Sequence, residues 1–328
     1  MISSADKFKQ DAQFCEGISL TRQRVLEDFE ADCRRRRMVP HTIRTYRTQV
    51  RIYLNFLDDI NVDPVNVDRK ALEKFLDYLT NVRRKAFGGL ENQFSALSTF
   101  YDYLIYEEFT RENPILPFRR RFLRYFKETD DCESPRKLIS VEEMSALVNS
   151  ILNPRDRAIV LLLAKTGIRR EELVQIDISD VNWPNQSIML KPRAKRSNRL
   201  IFFDEECNSI LKYWVEVRED YAQEGERALF TNDHGNRINA DRVYEIVTGN
   251  AERLGFHNRK SKNPSDHFFP HCFRHWFTTH LLRNGMRREY VQELRGDRRR
   301  EAIDIYHHID KEALRKEYLS CIPKLGID

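Results

Sequence analysis

Apolar residues recur at helical spacing through the first third of the chain. Ile43, Tyr46, Val50, Tyr53, Leu54 and Leu57 share one side of a 3.6-residue period, and Leu72, Phe75, Leu76 and Leu79 follow Asp68, a residue type suited to capping a helix start. A third stripe, Phe94, Leu97, Phe100, Tyr101 and Leu104, comes after Gly88-Gly89, which reads as a break between helices. These stripes predict an all-helical domain over residues 17–117, behind a tail at 1–16, with Pro114 as the helix stop. From there to Arg136 arginines, acids and prolines mix without a period, and residues 118–137 read as a basic linker.

A second domain, residues 138–328, opens at Ser140-Val141-Glu142-Glu143, a capping-box pattern. Ala158 to Ala164 is apolar throughout, as expected of a helix that runs through a core. Ser187–Lys191 and Asn198–Phe203 predict a β-hairpin around a polar turn, and Asp204–Arg218 a helix carrying Ile210, Leu211, Trp214 and Val215. The fold class expected is mainly α with a small β-hairpin or sheet, in two domains, the second α+β.

Length and composition agree with this division. A chain of 328 residues has room for two buried cores, and its 33% charged residues suit a soluble protein. No apolar run approaches the eighteen or so residues of a membrane span, and Met1-Ile2-Ser3-Ser4-Ala5-Asp6-Lys7 lacks the apolar segment of a secretory leader, so a cytoplasmic protein without membrane contact is expected. The six cysteines show no metal-ligand spacing; reduced thiols and no metal are expected.

Net charge is only +5, but the basic residues are clustered: Arg34 to Arg37, Arg83-Arg84-Lys85, Arg119-Arg120-Arg121 with Arg124, and Arg298 to Arg300. Arg44, Arg47 and Arg51 add a basic stripe to one predicted helix. Such patches suit a protein that wraps a polyanion, and each alone equally suits a solvated face.

Chemistry concentrates in three places. Thr166-Gly167-Ile168-Arg169 ends the apolar helix in a glycine turn that aims an arginine outward, ahead of an acidic pair and Leu173. Pro270-His271-Cys272-Phe273-Arg274 opens a helix in which residues three apart share a side. Leu294-Arg295-Gly296-Asp297 is followed by Tyr306, His307 and His308. Two arginines, a histidine and a late tyrosine suffice to clamp a phosphodiester and attack it.

Together these segments resemble the tyrosine recombinase (phage integrase) family, from about residue 17 to residue 322, including its viral, mobile-element and archaeal branches. The resemblance implies a helical SAM-like core-binding domain and a catalytic domain closing as a clamp on duplex DNA. It makes Arg169, His271 and Arg274 catalytic, with Tyr306 the nucleophile, and places the family's lysine on the hairpin, Lys195 being preferred to Lys191. Asp297 occupies the position usually held by histidine or tryptophan; either it turns away to hold an arginine, or it is protonated in place. Arg44, Arg47, Arg51, Arg119, Arg120, Arg121 and Arg124 are the expected DNA contacts.

The implied activity is strand cleavage and rejoining at DNA attachment sites without metal, ATP or cofactor, by a homotetramer that exchanges a helix within Lys311–Pro323, in the nucleoid of a prokaryotic host. The apolar positions of that tail fit self-packing as well. Integration or excision of a mobile element is the first reading. A chromosome-dimer resolvase, a type IB topoisomerase-like enzyme and a catalytically silent DNA-binding regulator are the others.

Overall fold

The computed structural model describes residues 18–124, 137–192, 199–261, 263–297 and 309–327. They fall into two compact units that divide at Glu133–Ser134. The first unit is helical: α1 (Ile18–Arg35), α2 (Pro40–Asp59), α3 (Arg69–Asp77) and α4 (Phe87–Tyr106), with a short α5 (Ile115–Phe118). α2 starts on Pro40, whose missing N–H costs nothing in a first turn, and α3 on Asp68, whose carboxylate accepts from Ala71 N at 2.8 Å. The expected stripes meet in one core around Phe29, Tyr53, Phe75, Phe94 and Phe100. Its two buried phenols satisfy each other, Tyr53 and Tyr101 lying 2.9 Å apart, with Tyr101 also donating to Pro64 O.

Two expectations for this unit are corrected. Gly88-Gly89 is no break, because α4 already begins at Phe87 and holds both glycines in its first turn, where neither packs closely. Nor does the unit stop at Pro114 or residue 117. α4 ends earlier, at Tyr106, and Asn113 caps α5 by accepting from Ile115 N at 3.0 Å. A π turn, Arg119–Leu123, continues it, and Ile115, Phe118 and Leu123 are buried in the helical core. The start of the supposed linker is therefore packed structure whose apolar residues are too few to show a period.

In the second unit Ser140 caps α6 (Val141–Asn149) with the expected reciprocal bonds to Glu143. α7 (Pro154–Thr166) is the central helix, with every residue from Ala158 to Ala164 fully buried. It packs against α6, α9 (Glu205–Arg218) and α11 (Pro270–Arg283), which explains why no polar face is visible in its sequence. Trimming one of its leucines to alanine would cost about 2–5 kcal/mol. The remaining α-helices among the described residues are α8 (Arg170–Leu173), α10 (Ala240–Arg253), α12 (Arg288–Arg295) and α13 (Lys311–Cys321).

The expected hairpin is β2 (Ser187–Leu190) against β3 (Arg199–Phe202), antiparallel with Leu190 opposite Arg199. A third strand, β1 (Val181–Asn182), pairs with β2; at two residues it was too short to announce itself.

The tail packs on its own unit. Leu314 and Tyr318 of α13 are fully buried beside Phe202, Phe277 and Leu281, and Tyr318 Oη donates to Lys165 O at 2.8 Å. Beyond α13, Leu325 and Ile327 enter the main core. The buried Lys165 ammonium binds Asp204 at 2.7 Å, Pro323 O at 2.8 Å and Glu206, while Glu206 accepts from the backbone of Leu325, Gly326 and Ile327. In this single chain the helix that the resemblance assigns to exchange packs its apolar side within its own unit. No helix among the described residues is long and apolar enough to cross a membrane.

Candidate active site

α7 ends at Gly167, which is left-handed at φ 58°, and a Cβ there would lie 2.6 Å from the Phe277 ring. Only glycine meets both demands. The turn does two things for the site: it exposes the Gly167 carbonyl, and it places Arg169 at the start of α8.

Arg169 is held there by Glu172. The buried carboxylate accepts from Arg169 N at 2.9 Å and lies 3.4 Å from Arg169 Nη1. The same carboxylate is gripped from the other side by Arg199, Nη1 at 2.9 Å and Nη2 at 2.8 Å. Burial pushes the Glu172 carboxyl up, but the Arg199 fork and Arg169 outweigh it and hold the group below the usual carboxylate range.

α11 supplies the other half. Pro270 fills its first turn, His271 is exposed, and Arg274, one turn on, is buried with 3% of its side chain accessible. Arg274 is fixed by three acceptors on different segments: Gly167 O at 3.1 Å, Arg295 O at 2.7 Å and Asp297 Oδ1 at 3.0 Å. Burial and the neighbouring charges of Arg169, Arg295 and Arg199 pull its pKa down to about 10, against the opposing pull of Asp297; it remains a cation at neutral pH.

A cavity of about 290 Å³ brings these groups together, lined by Arg169, His271 and Arg274 with Ile168, Arg170, Tyr244 and Phe269. Three arginines and an imidazole line this recess, with the Glu171 carboxylate 2.9 Å from Arg170 Nε; planar donors so placed could stabilise charge on non-bridging oxygens.

The Asp297 carboxylate lies 3.0 Å from Arg274 Nη2 and 3.0 Å from Arg295 Nε. Lys191 is bound by Asp177 and Asp180. Tyr306 and Lys195 lie outside the described residues, as do Arg298 to Arg300. Tyr290 and Tyr318 are core side chains.

Of the expected DNA contacts, Arg44, Arg47, Arg51, Arg120, Arg121 and Arg124 are exposed and Arg119 is half-buried. Arg47 already lies 3.2 Å from Glu30. Lys85, in one of the basic clusters, instead donates to Gln49 and Gln93 within the helical unit.

Sequence reasoning gave no site role to Arg170 or Tyr244, and used Arg199 only as resembling the arginine that begins the second strand in relatives. Glu172 had a signal, three residues after Arg169 at the place of a capping-box acid.

A helical domain ahead of an α+β domain with an arginine-lined recess is the class of protein that the fold and site define, and sequence comparison says which family it is. Residues 137–313 match the phage integrase family, and residues 25–111 match the phage integrase N-terminal SAM-like domain. The chain belongs to the phage integrase family and is a tyrosine recombinase, an enzyme of DNA strand breakage and rejoining. It is 26% identical to tyrosine recombinase XerD of Oceanobacillus iheyensis over 315 residues, covering 92% of this chain and 98% of that one. It is 29% identical to tyrosine recombinase XerC of Herpetosiphon aurantiacus over 305 residues, 88% of this chain and 92% of that one. The fold is similar to that of the Tn1549 transposon integrase in complex with a circular intermediate DNA, TM-score 0.67 at 17% identity, over 89% of this chain and 98% of that one. It is also similar to the XerH site-specific recombinase bound to palindromic difH substrate, TM-score 0.66 at 21% identity, over 89% of this chain and 83% of that one.

Proposed function

We propose that this recombinase cuts and rejoins duplex DNA at specific attachment sites through Tyr306. The observation that carries the reading is the convergence of Arg169, His271 and Arg274 on one recess. The Tyr306 oxygen attacks a phosphorus, forms a 3′-phosphotyrosyl bond and displaces the 5′-oxygen, which leaves as a hydroxyl; attack by another strand's 5′-hydroxyl reverses the step. Because the phosphodiester energy is kept in the covalent link, the exchange is balanced without a nucleotide. A free tyrosine titrates near pH 10, so the recess has to favour loss of its proton. Arg169 and Arg274 offset charge on the non-bridging oxygens, His271 shares the proton of the nucleophile, and Lys195 protonates the departing 5′-oxygen. Asp297 holds Arg274 and Arg295 rather than touching the phosphate.

Exposed Arg44, Arg47, Arg51, Arg120, Arg121 and Arg124 would follow the phosphate backbone, and four protomers would pair two sites with exchange of the helix within Lys311–Pro323. Integration or excision of a mobile element remains the first reading. Chromosome-dimer resolution is the second, favoured by the end-to-end match to proteins named XerD and XerC. An archaeal origin draws no support from these relatives.

The test selects bound duplexes from a random pool, nicks the recovered site, and compares wild type with Tyr306→Phe. A denaturant-resistant protein–DNA band in wild type alone supports the reading. Persistence of the band in Tyr306→Phe refutes this nucleophile, and specific binding without a band in either protein favours a silent regulator.

A further inference from the structure

We propose that Arg199 is a positioning residue for cleavage: by forking on both oxygens of Glu172 it limits that carboxylate to a single long contact with the Arg169 guanidinium, and it backs the turn that holds Arg274. The inference deepens the recombinase reading and rests on it for its activity readout.

Arg199 is the first residue of β3, yet its side chain is 8% accessible and runs to Glu172, which is 6% accessible. A buried pair of this kind is a weak source of stability, since apolar side chains of the same volume often serve as well. What it does to the site is more specific. Glu172 faces two arginines, and the distances are unequal: 2.9 and 2.8 Å to the Arg199 fork against 3.4 Å to Arg169 Nη1. The carboxylate is thereby shared unequally, its fork on Arg199 and one longer contact on Arg169, whose side chain stays 27% accessible at the wall of the recess. Without Arg199 the same carboxylate would close on Arg169 as a fork of its own, neutralising it and drawing it away from a phosphate.

The second contact is with α12. Gly296 ends that helix at φ 61°, and a Cβ there would lie 2.5 Å from Arg199 Nη1 and 2.9 Å from its Cδ. The flanking Arg295 O and Asp297 Oδ1 are two of the three acceptors that fix Arg274. One side chain therefore touches the supports of both arginines.

The experiment compares Arg199→Met with Glu172→Gln. The amide of Glu172→Gln still accepts from Arg199, so a purely structural pair predicts cleavage losses that follow the two melting temperatures. The positioning role predicts a split. Arg199→Met frees the carboxylate to capture Arg169 and slows covalent-complex formation about 100-fold, the scale of a misplaced catalytic group, at little change in DNA affinity. Glu172→Gln has no charge with which to capture Arg169 and loses at least about tenfold less. Equal losses in the two variants, or losses that follow their melting temperatures, overturn the proposal. A crystal structure of Arg199→Met is the arm that needs no cleavage: Arg169 forked on Glu172 supports the inference, and Arg169 unmoved refutes it. If wild type itself forms no covalent complex, the recombinase reading fails and the crystal structure alone still judges Arg199.

Discussion

Arg274 Nη2 lies 3.0 Å from Asp297 Oδ1, so the carboxylate that departs from the family pattern is bonded to an arginine of the recess instead of facing it. Asp297 also lies 3.0 Å from Arg295 Nε and separates two like charges. Asp297→Asn keeps an acceptor but removes the charge. We expect DNA binding to tighten and cleavage to slow by about tenfold as Arg274 loses its ionic anchor, roughly the worth of one charge-assisted bond. Gel shift and covalent-band assays on the selected site read the two effects separately; faster cleavage would contradict the anchoring role.

Arg274 serves Gly167 O, Arg295 O and Asp297 at once, a span that only a planar fork provides. Arg274→Lys should fold, bind DNA and cleave about 100-fold or more slowly, as when one donor to a developing oxyanion is removed. Single-turnover kinetics at saturating protein check this.

At Gly167 the cost is in the fold. A side chain there must adopt φ 58° and meet Phe277 at 2.6 Å, so Gly167→Ala should lose at least about 1–3 kcal/mol in urea denaturation. Because the turn also aims Arg169, cleavage should fall further than the melting temperature alone accounts for.

The tail has a pH signature. Burial pushes the Glu206 carboxyl up, but Lys165 and the N–H groups of Leu325 and Ile327 hold it below its ordinary value. A depressed carboxylate contributes stability above its unfolded pKa of about 4.3 and loses it as pH falls through the folded value. Protection factors for exchange at residues 325–327, which divide out the intrinsic pH dependence, should therefore fall as pH drops below the unfolded value in wild type. In Glu206→Gln they should already be low at neutral pH and change little on acidification.

On the helical unit, Arg44→Ala and Arg51→Ala should each lower the slope of log K against log salt by about 1 if both contact phosphates. Arg47→Ala should change it less, because Glu30 already lies 3.2 Å away. Fluorescence anisotropy between low and moderate salt gives the slopes.

Much was legible in the chain itself because the signals are local. The stripes around Val50, Phe75 and Phe94, the Ser140 cap, the Gly167 turn and the His271–Arg274 spacing each depend on residues a few positions apart, where helix geometry dictates which side chains share a face. The sequence by itself thus determined a helical domain followed by an α+β domain, and the residue types able to hold a phosphate. Tertiary structure decided what those residues touch. Glu172 meets Arg199 across 27 positions, Arg274 meets Gly167 across 107, and Lys165 meets Pro323 across 158. No periodicity encodes such contacts, because they exist only once α7, the hairpin, α11 and the tail share one core. The same holds for the turning of Asp297 toward arginines and the seating of α13 on its own unit: both depend on which buried partner lies nearest after folding.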